Sequence, residues 1–398
     1  MQNIVIIQPP LVQLNTPYPS GAYLKSFFEK YSDENFQNIF WWDLSIELFH
    51  KIFSKQGISS IFEKSFFKAE TLVKKYQKNG DENTAFQIQR YLLQSNLWIK
   101  WIDIIIAILC NQSPISGSEF CHEFIFSPHV PRGARMEKYL SELKGIISVD
   151  CSKILASLAL ADLADYISVV YDKNFALIRY AESTIENYPD FSDFGNLNNF
   201  PILKDFYIPL LKEKIQKVSG KTLFCVTVPF TGTFVSALAT GKFIKENYKE
   251  EKLVGFGGGF VNTELRNYNE KDLFNFCDFL SFDKGYGSYL NLFNELKKQS
   301  DASKVFNGDQ IYKISYYKNH FVNRLENDDL YEKKEKDIIK KLVPDFTTVD
   351  FSKYPRLADD DNSMHRIWND GVWIKIYLAY GCYWHKCSFC DTSLDYVN

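Results

Sequence analysis

Three of the chain's eight cysteines fall between Cys382 and Cys390, in the run Gly381-Cys-Tyr-Trp-His-Lys-Cys-Ser-Phe-Cys-Asp391. A short loop with three thiols can bring them to one point without long-range folding, which is what an iron–sulfur cluster demands. Zinc is the competing metal, with His385 as a fourth ligand. Four ligands in so short a loop are cramped, however, and structural zinc sites usually bring a second pair from elsewhere. Thiols packed this densely without a metal would be prone to oxidation. The other five cysteines, Cys110, Cys121, Cys151, Cys225 and Cys277, lie scattered among apolar residues and read as small buried hydrophobes. No histidine stands beside an evident nucleophile, so a Ser/His/Asp triad finds no support.

A second set of residues is built of glycine and small hydroxyls. Thr227-Val-Pro229 is followed, after 27 residues, by Gly257-Gly258-Gly259, and Gly232 stands ahead of a helical pattern. Glycine after a strand lets backbone approach a bound group closely, and a helix start favours an anion. The same glycines also serve as plain turns in α/β sheets, so the pattern is open between a binding loop and a structural one.

The elements that would carry these residues read as a doubly wound α/β domain with a parallel sheet. Apolar runs predict strands at Asn3–Ile7, Asn38–Trp42, Thr222–Val228, Leu253–Phe256 and Phe279–Phe282. Helices are expected at Ala22–Lys30, Thr233–Asn247, Lys271–Phe276 and Tyr289–Lys298. Between the second and third strands, apolar residues recur at helical spacing from Ile58 to Tyr76, with Gly80 as a stop, and further helices fit Thr84–Gln94, Leu97–Leu109, Met136–Leu143, Ile154–Tyr171 and Ile202–Ile215. About 170 residues of this kind exceed any loop of a compact domain, so an inserted helical subdomain is expected. The boundaries drawn are 1–45 and 219–300 for the split α/β domain, 46–218 for the insert, 301–371 for a linker region, and 372–398 for the cysteine-bearing segment. Within the linker region a strand or strand pair is expected at Gln310–Val322 and a charged helix around Tyr331–Lys341, with Lys333–Asp337 as a solvated face. Asp359-Asp-Asp361 reads as a surface turn, and Trp373–Ala379 as a strand leading into the cysteines.

Composition sets outer bounds. With 45% hydrophobic and 24% charged residues the chain has ordinary globular composition. A net charge of −3 gives no electrostatic reason for nucleic acid or anionic membrane as a partner. The most apolar stretch, Leu97–Cys110, is short of the ~20 residues of a bilayer span and is interrupted by Lys100 and Asp103. No secretory signal is visible at Met1–Pro10, so a cytoplasmic chain with reduced thiols is expected.

The run from Leu378 to Tyr396 (LAYGCYWHKCSFCDTSLDY) resembles the first barrel strand and cluster loop of radical S-adenosylmethionine (SAM) proteins, most of all a subgroup with an N-terminal cobalamin-binding-type domain. The wider family spaces its cysteines by three and then two residues; here the spacing is four and then two, in the Cys-Tyr-Trp-x-x-Cys form of the subgroup. Gln13–Pro19, Val228–Gly232, Gly257–Arg266 and Met364–Asn369 also resemble that subgroup. The turn Asp283-Lys-Gly-Tyr286 departs from it, because an acidic Asp-Asp-Gly-Glu-type turn is expected there.

The resemblance implies that Cys382, Cys387 and Cys390 bind a [4Fe-4S] cluster whose fourth iron is open to SAM. Phe389 would lie near the adenine, and the reduced cluster would cleave SAM to a 5′-deoxyadenosyl radical. It further implies that Thr227 and Gly257–Gly259 stand where the family's Ser-x-Leu and Gly-Gly elements border the nucleotide tail of cobalamin. No Asp-x-His-x-x-Gly motif follows the first strand, so any cobalamin would lack that histidine ligand. Only eight residues follow Cys390, so the chain reads as the N-terminal portion of such an enzyme, with the rest of the barrel supplied by further residues or a separate chain. The substrate is not legible. Two other readings stay open: a cobalamin- or nucleotide-binding module without catalysis, and a zinc-stabilised interaction protein.

Overall fold

The computed structural model describes residues 1–32, 36–143, 151–178, 180–182, 196–299, 301–358 and 373–378. The cysteine motif and Phe389 lie outside the described residues, as do Asp359–Asp361 and Met364–Asn369.

Strand β1 (Asn3–Gln8) is buried along its whole length and runs through a loop into helix α1 (Pro19–Tyr31), which opens with a proline in its first turn. Such a proline fits because its missing N–H would have had no partner there. Strand β2 (Asn38–Asp43) passes straight into α2 (Leu44–Ile52), because the Asp43 carboxylate accepts from the Ser45 and Ile46 N–H groups at 3.1 and 3.2 Å and caps the helix.

The helical insert follows. It comprises α3 (Lys55–Lys78), α4 (Glu82–Leu93), α5 (Ser95–Leu109), α6 (Gly117–Phe126), α7 (Ala134–Glu142) and α8 (Cys151–Tyr166), which continues as a π-helical turn over Ile167–Tyr171. A second π-helical turn, Leu203–Tyr207, leads into α9 (Ile208–Ile215). The expected stop holds at Gly80, whose φ of +79° suits glycine. The apolar faces of these helices meet around the fully buried Trp98, Phe120, Phe124 and Tyr166. The segment Cys151–Tyr171 is, among the described residues, the one unbent helix long and apolar enough to cross a membrane. It is 67% buried inside the insert. Leu97–Leu109 is a buried helix, as expected, within α5.

Strand–helix alternation then resumes with β3 (Thr222–Thr227), α10 (Phe234–Asn247), β4 (Lys252–Gly257), the short α11 (Gly259–Thr263), β5 (Phe279–Ser281) and α12 (Tyr286–Lys297). Strands β6 (Ile314–Lys318) and β7 (Phe321–Asn323) and helix α13 (Asp329–Ile339) complete the described elements. The seven strands form one sheet in the order β2-β1-β3-β4-β5-β6-β7. The first five are parallel and the last two antiparallel. This is a Rossmann-like α/β sheet, with the 2-1-3-4-5 order of doubly wound folds over its parallel part.

Both faces are covered, and β1 shows how. Ile4 and Ile6 pack with Phe27 and Phe28 of α1 and Tyr289 and Phe293 of α12, whereas Val5 and Ile7 join the larger core shared with the insert and α10. Alternate side chains of one strand thus serve two layers, each buried side chain contributing roughly 1.5–3 kcal/mol.

Three expectations need correction. The region 301–371 is not simply a linker: β6 pairs with β5 and extends the sheet, and α13 packs against α12. The helix face at Lys333–Asp337 is not wholly solvated, since Glu335 is buried and accepts from the Gly287 N–H at 2.9 Å. The described part of Trp373–Ala379, residues 373–378, belongs to no strand. Its polar groups bond to loop and helix side chains instead of a neighbouring strand.

Candidate functional site

The parallel strands all end on one edge of the sheet, and the strand order reverses between β1 and β3. Ligands of open α/β sheets bind at that edge, outside the carboxyl ends of the strands. A cavity of about 230 Å³ opens there, floored by the ends of β3, β4 and β5 and walled by the starts of α1 and α12.

From β3 come Cys225, Val226 and Thr227; the Thr227 hydroxyl accepts from Ser20 of α1 at 3.3 Å. From β4 come Gly257, Gly258 and Gly259. Gly258 has φ +112°, and a Cβ there would stand 2.7 Å from the Val228 carbonyl oxygen; at Gly259 it would stand 2.8 Å from that of Pro229. These two glycines are therefore explained by backbone of the β3–α10 loop lying against the β4–α11 turn. Gly257 differs: its Cβ would meet the Ser281 carbonyl at 3.3 Å, so it keeps the floor of the cavity low.

The third wall is the turn Asp283-Lys-Gly-Tyr286 after β5. Asp283 sits at φ +58°, its N–H donates to the Asn262 side chain at 2.7 Å, and its carboxylate pairs with Arg266 and with Lys313. Arg266 also donates to the Asn262 carbonyl at 3.1 Å and lies over the Phe282 ring. The motif Gly257–Arg266 thus ends in a clamp that fixes the next strand's turn. Lys284 lines the cavity with its ammonium 5.4 Å from the centre of the Tyr377 ring. Burial pulls its pKa down to about 8, against the nearby Glu335 and Asp283 carboxylates, which raise it. The hydroxyl of Tyr18, at the rim, titrates well above its ordinary range because it is buried.

Residues 373–378 pass beside the loop after β1 and the start of α1. Thr16 donates to the Trp373 carbonyl at 2.8 Å, Lys375 to the Gln13 side chain at 2.6 Å, and the Tyr377 N–H to the Tyr23 hydroxyl at 3.0 Å. Tyr377 itself lines the cavity.

Of the residues singled out in the sequence, Thr227, Gly257, Gly258 and Gly259 meet at this cavity. Gly232 does not: it is buried in a 3₁₀ turn, Thr231–Thr233, away from the lining. Cys382, Cys387, Cys390 and Phe389 lie outside the described residues. Among those described, no group of three or more His, Cys, Asp or Glu side chains is arranged to hold a metal. Sequence reasoning missed Tyr18, Ser20, Tyr23 and Tyr289. The loop after β1 carried the signal, since a doubly wound sheet puts that loop and the loops after β3, β4 and β5 on one edge. No family model matches the chain, and neither a curated protein nor a solved structure gives a significant match.

Proposed function

We propose that this chain is the N-terminal part of a radical SAM enzyme, joined to an α/β domain that receives the nucleotide tail of a cobalamin-type cofactor. The observation that carries the reading is the meeting of Thr227 and Gly257–Gly259 at one cavity on the carboxyl edge of the sheet, with a neighbouring segment that runs on toward the cysteine motif. A cavity of about 230 Å³ suits a base and sugar and not a whole corrin, so a tail would enter and the ring would stay outside.

The fit of the tail rests on a floor kept low by Gly257 and hydroxyls at Ser20 and Thr227. Cys382, Cys387 and Cys390 would hold a [4Fe-4S] cluster, which would supply the electron for reductive cleavage of SAM, and Phe389 would border the adenine. In the cavity, Tyr18, Tyr23 and Tyr377 exclude water from the ligand, and Thr227 orients it. Hydrogen abstraction from a substrate of unassigned class is the reaction type, and further barrel residues, on this or another chain, would enclose it. Five cysteines that stay free thiols accord with a reducing, cytoplasmic setting.

Anaerobic reconstitution tests the reading. About four iron and four sulfide per chain are expected, with a broad brown absorption that disappears in the C382A/C387A/C390A variant. Stoichiometric zinc with no sulfide would instead select the zinc-stabilised interaction protein. Cobalamin binding without any iron would select the binding module.

A further inference from the structure

We propose that the helical insert carries a second binding site, separate from the sheet-edge cavity, and that this site takes a dianionic phosphate group. It stands independently of the radical SAM reading.

The site is a cavity of about 270 Å³ bordered by α3 and the two π-helical turns, and it shares no lining residue with the sheet-edge cavity. Lys64 and Lys68 stand one turn apart on α3, a like-charge pair that destabilises the helix carrying it. Lys204 joins them from the second π-helical turn. Asp205 is the one carboxylate among the described lining residues, and it is held twice: it pairs with Lys64 at 2.9 Å and accepts from the Tyr171 hydroxyl. The other two lysines meet neutral oxygens. Lys68 donates to the Tyr171 carbonyl at 3.3 Å and Lys204 to the Asn198 side chain at 2.7 Å. Among the described residues neither has a carboxylate within salt-bridge distance. Three positive charges therefore face one negative charge around a concave surface, and each of these two ammonium groups has used one of its three N–H donors.

The backbone gives an independent sign. Among the described residues the π-helical turns are Ile167–Tyr171 and Leu203–Tyr207, and both border this cavity, the first through Tyr171 and the second through Lys204 and Asp205. Such turns are rare and occur frequently at functional sites. The two are fixed against each other, since the Tyr171 ring meets the Phe206 ring edge-on at 6.3 Å.

The surplus of two charges sets the ligand class. A phosphate monoester carries close to two negative charges at neutral pH and neutralises the lining, whereas a single carboxylate would leave it positive. Lysine heads are point charges that suit the tetrahedral spread of phosphate oxygens. A carboxylate is matched better by the planar fork of arginine, and no arginine is among the described lining residues.

Isothermal titration of the whole chain at constant ionic strength tests the proposal, with inorganic phosphate as the dianion and acetate as the monoanion. Phosphate should bind saturably and about tenfold more tightly than acetate, as charge-assisted contacts predict. That affinity should fall about tenfold in K68M/K204M and persist in K74M/K75M, which removes the same charge from α3 outside the lining, with melting curves confirming that both variants fold. Equal losses in the two variants would reduce the effect to net charge, and an affinity undiminished in K68M/K204M would place the phosphate elsewhere; either overturns the site. Acetate bound as tightly as phosphate would overturn the ligand class, and no saturable binding to the wild-type chain would overturn both.

Discussion

The backbone N–H of Tyr377 donates to the hydroxyl of Tyr23 at 3.0 Å, and the two rings lie 5.1 Å apart. Tyr377 stands five residues before Cys382, so this bond ties the approach to the cysteine motif directly to helix α1 at the cavity. Removing the hydroxyl in Y23F should cost about 1 kcal/mol locally, the usual net value of one hydrogen bond. Amide exchange of the peptide containing Tyr377 should quicken while the β3 and β4 peptides stay protected. Unchanged exchange at Tyr377 would show that the contact does not hold the segment.

Gly257 and Gly258 separate binding from stability. A methyl group at Gly258 meets both an unfavourable φ of +112° and the Val228 backbone, so G258A should lose about 1–3 kcal/mol of stability. At Gly257 the clash is milder, 3.3 Å from Ser281, and the added carbon stands on the cavity floor. G257A should keep most of its stability and lose ligand affinity. Equal melting points for the two variants would contradict this account.

Asp43 gives a stability term of unusual sign. Burial pushes its carboxyl up to about 6, outweighing the hydrogen bonds from Tyr354, Ile46 and Ser45, which lower it. The native state then holds a proton that the unfolded chain, titrating near 3.9, has released. This group contributes stability that is fully present below about pH 4 and lost as the pH rises through about 6. D43N can keep the cap on α2 through its carbonyl oxygen. Its melting temperature should therefore fall less than the wild type's between pH 4.5 and 7, and parallel curves would count against the assignment.

The parallel strands were readable because each is an apolar run between turns: Ile4–Ile7, Leu223–Val226 and Leu253–Phe256 face side chains on both sides. Helix α6 was missed although Ser116 and Glu119 form a capping box in which each side chain meets the other's backbone. That Ser-x-x-Glu signal was present in the sequence. Helix α2 was missed because Asp43 ends a strand and caps a helix at once, leaving no loop between them. The alternation Trp373-Ile-Lys-Ile reads as a strand, but alternation fixes only which side chains share a face. Whether a partner strand lies alongside is a tertiary matter, and here Thr16 and Tyr23 take that place. The glycines found the cavity, whereas Tyr23 of α1 and Tyr286 and Tyr289 of α12 look like any core stripe until the helices are docked, and Tyr18 and Tyr377 come from segments outside them.

The insert has a consequence for how the chain is made. Asn3 bonds to Asn38 across 35 positions and to Thr222 across 219. By loop-closure entropy the second pairing costs only about 1.6 kcal/mol more than the first, so the finished protein bears it easily. During synthesis the difference is one of time. The β1–β2 pair can form early, but the other edge of β1 stays open until nearly two hundred more residues have left the ribosome, and an open apolar edge recruits other strands. Chains stalled before Thr222 should therefore bind chaperones or aggregate, and ones stalled beyond Gly257 should not.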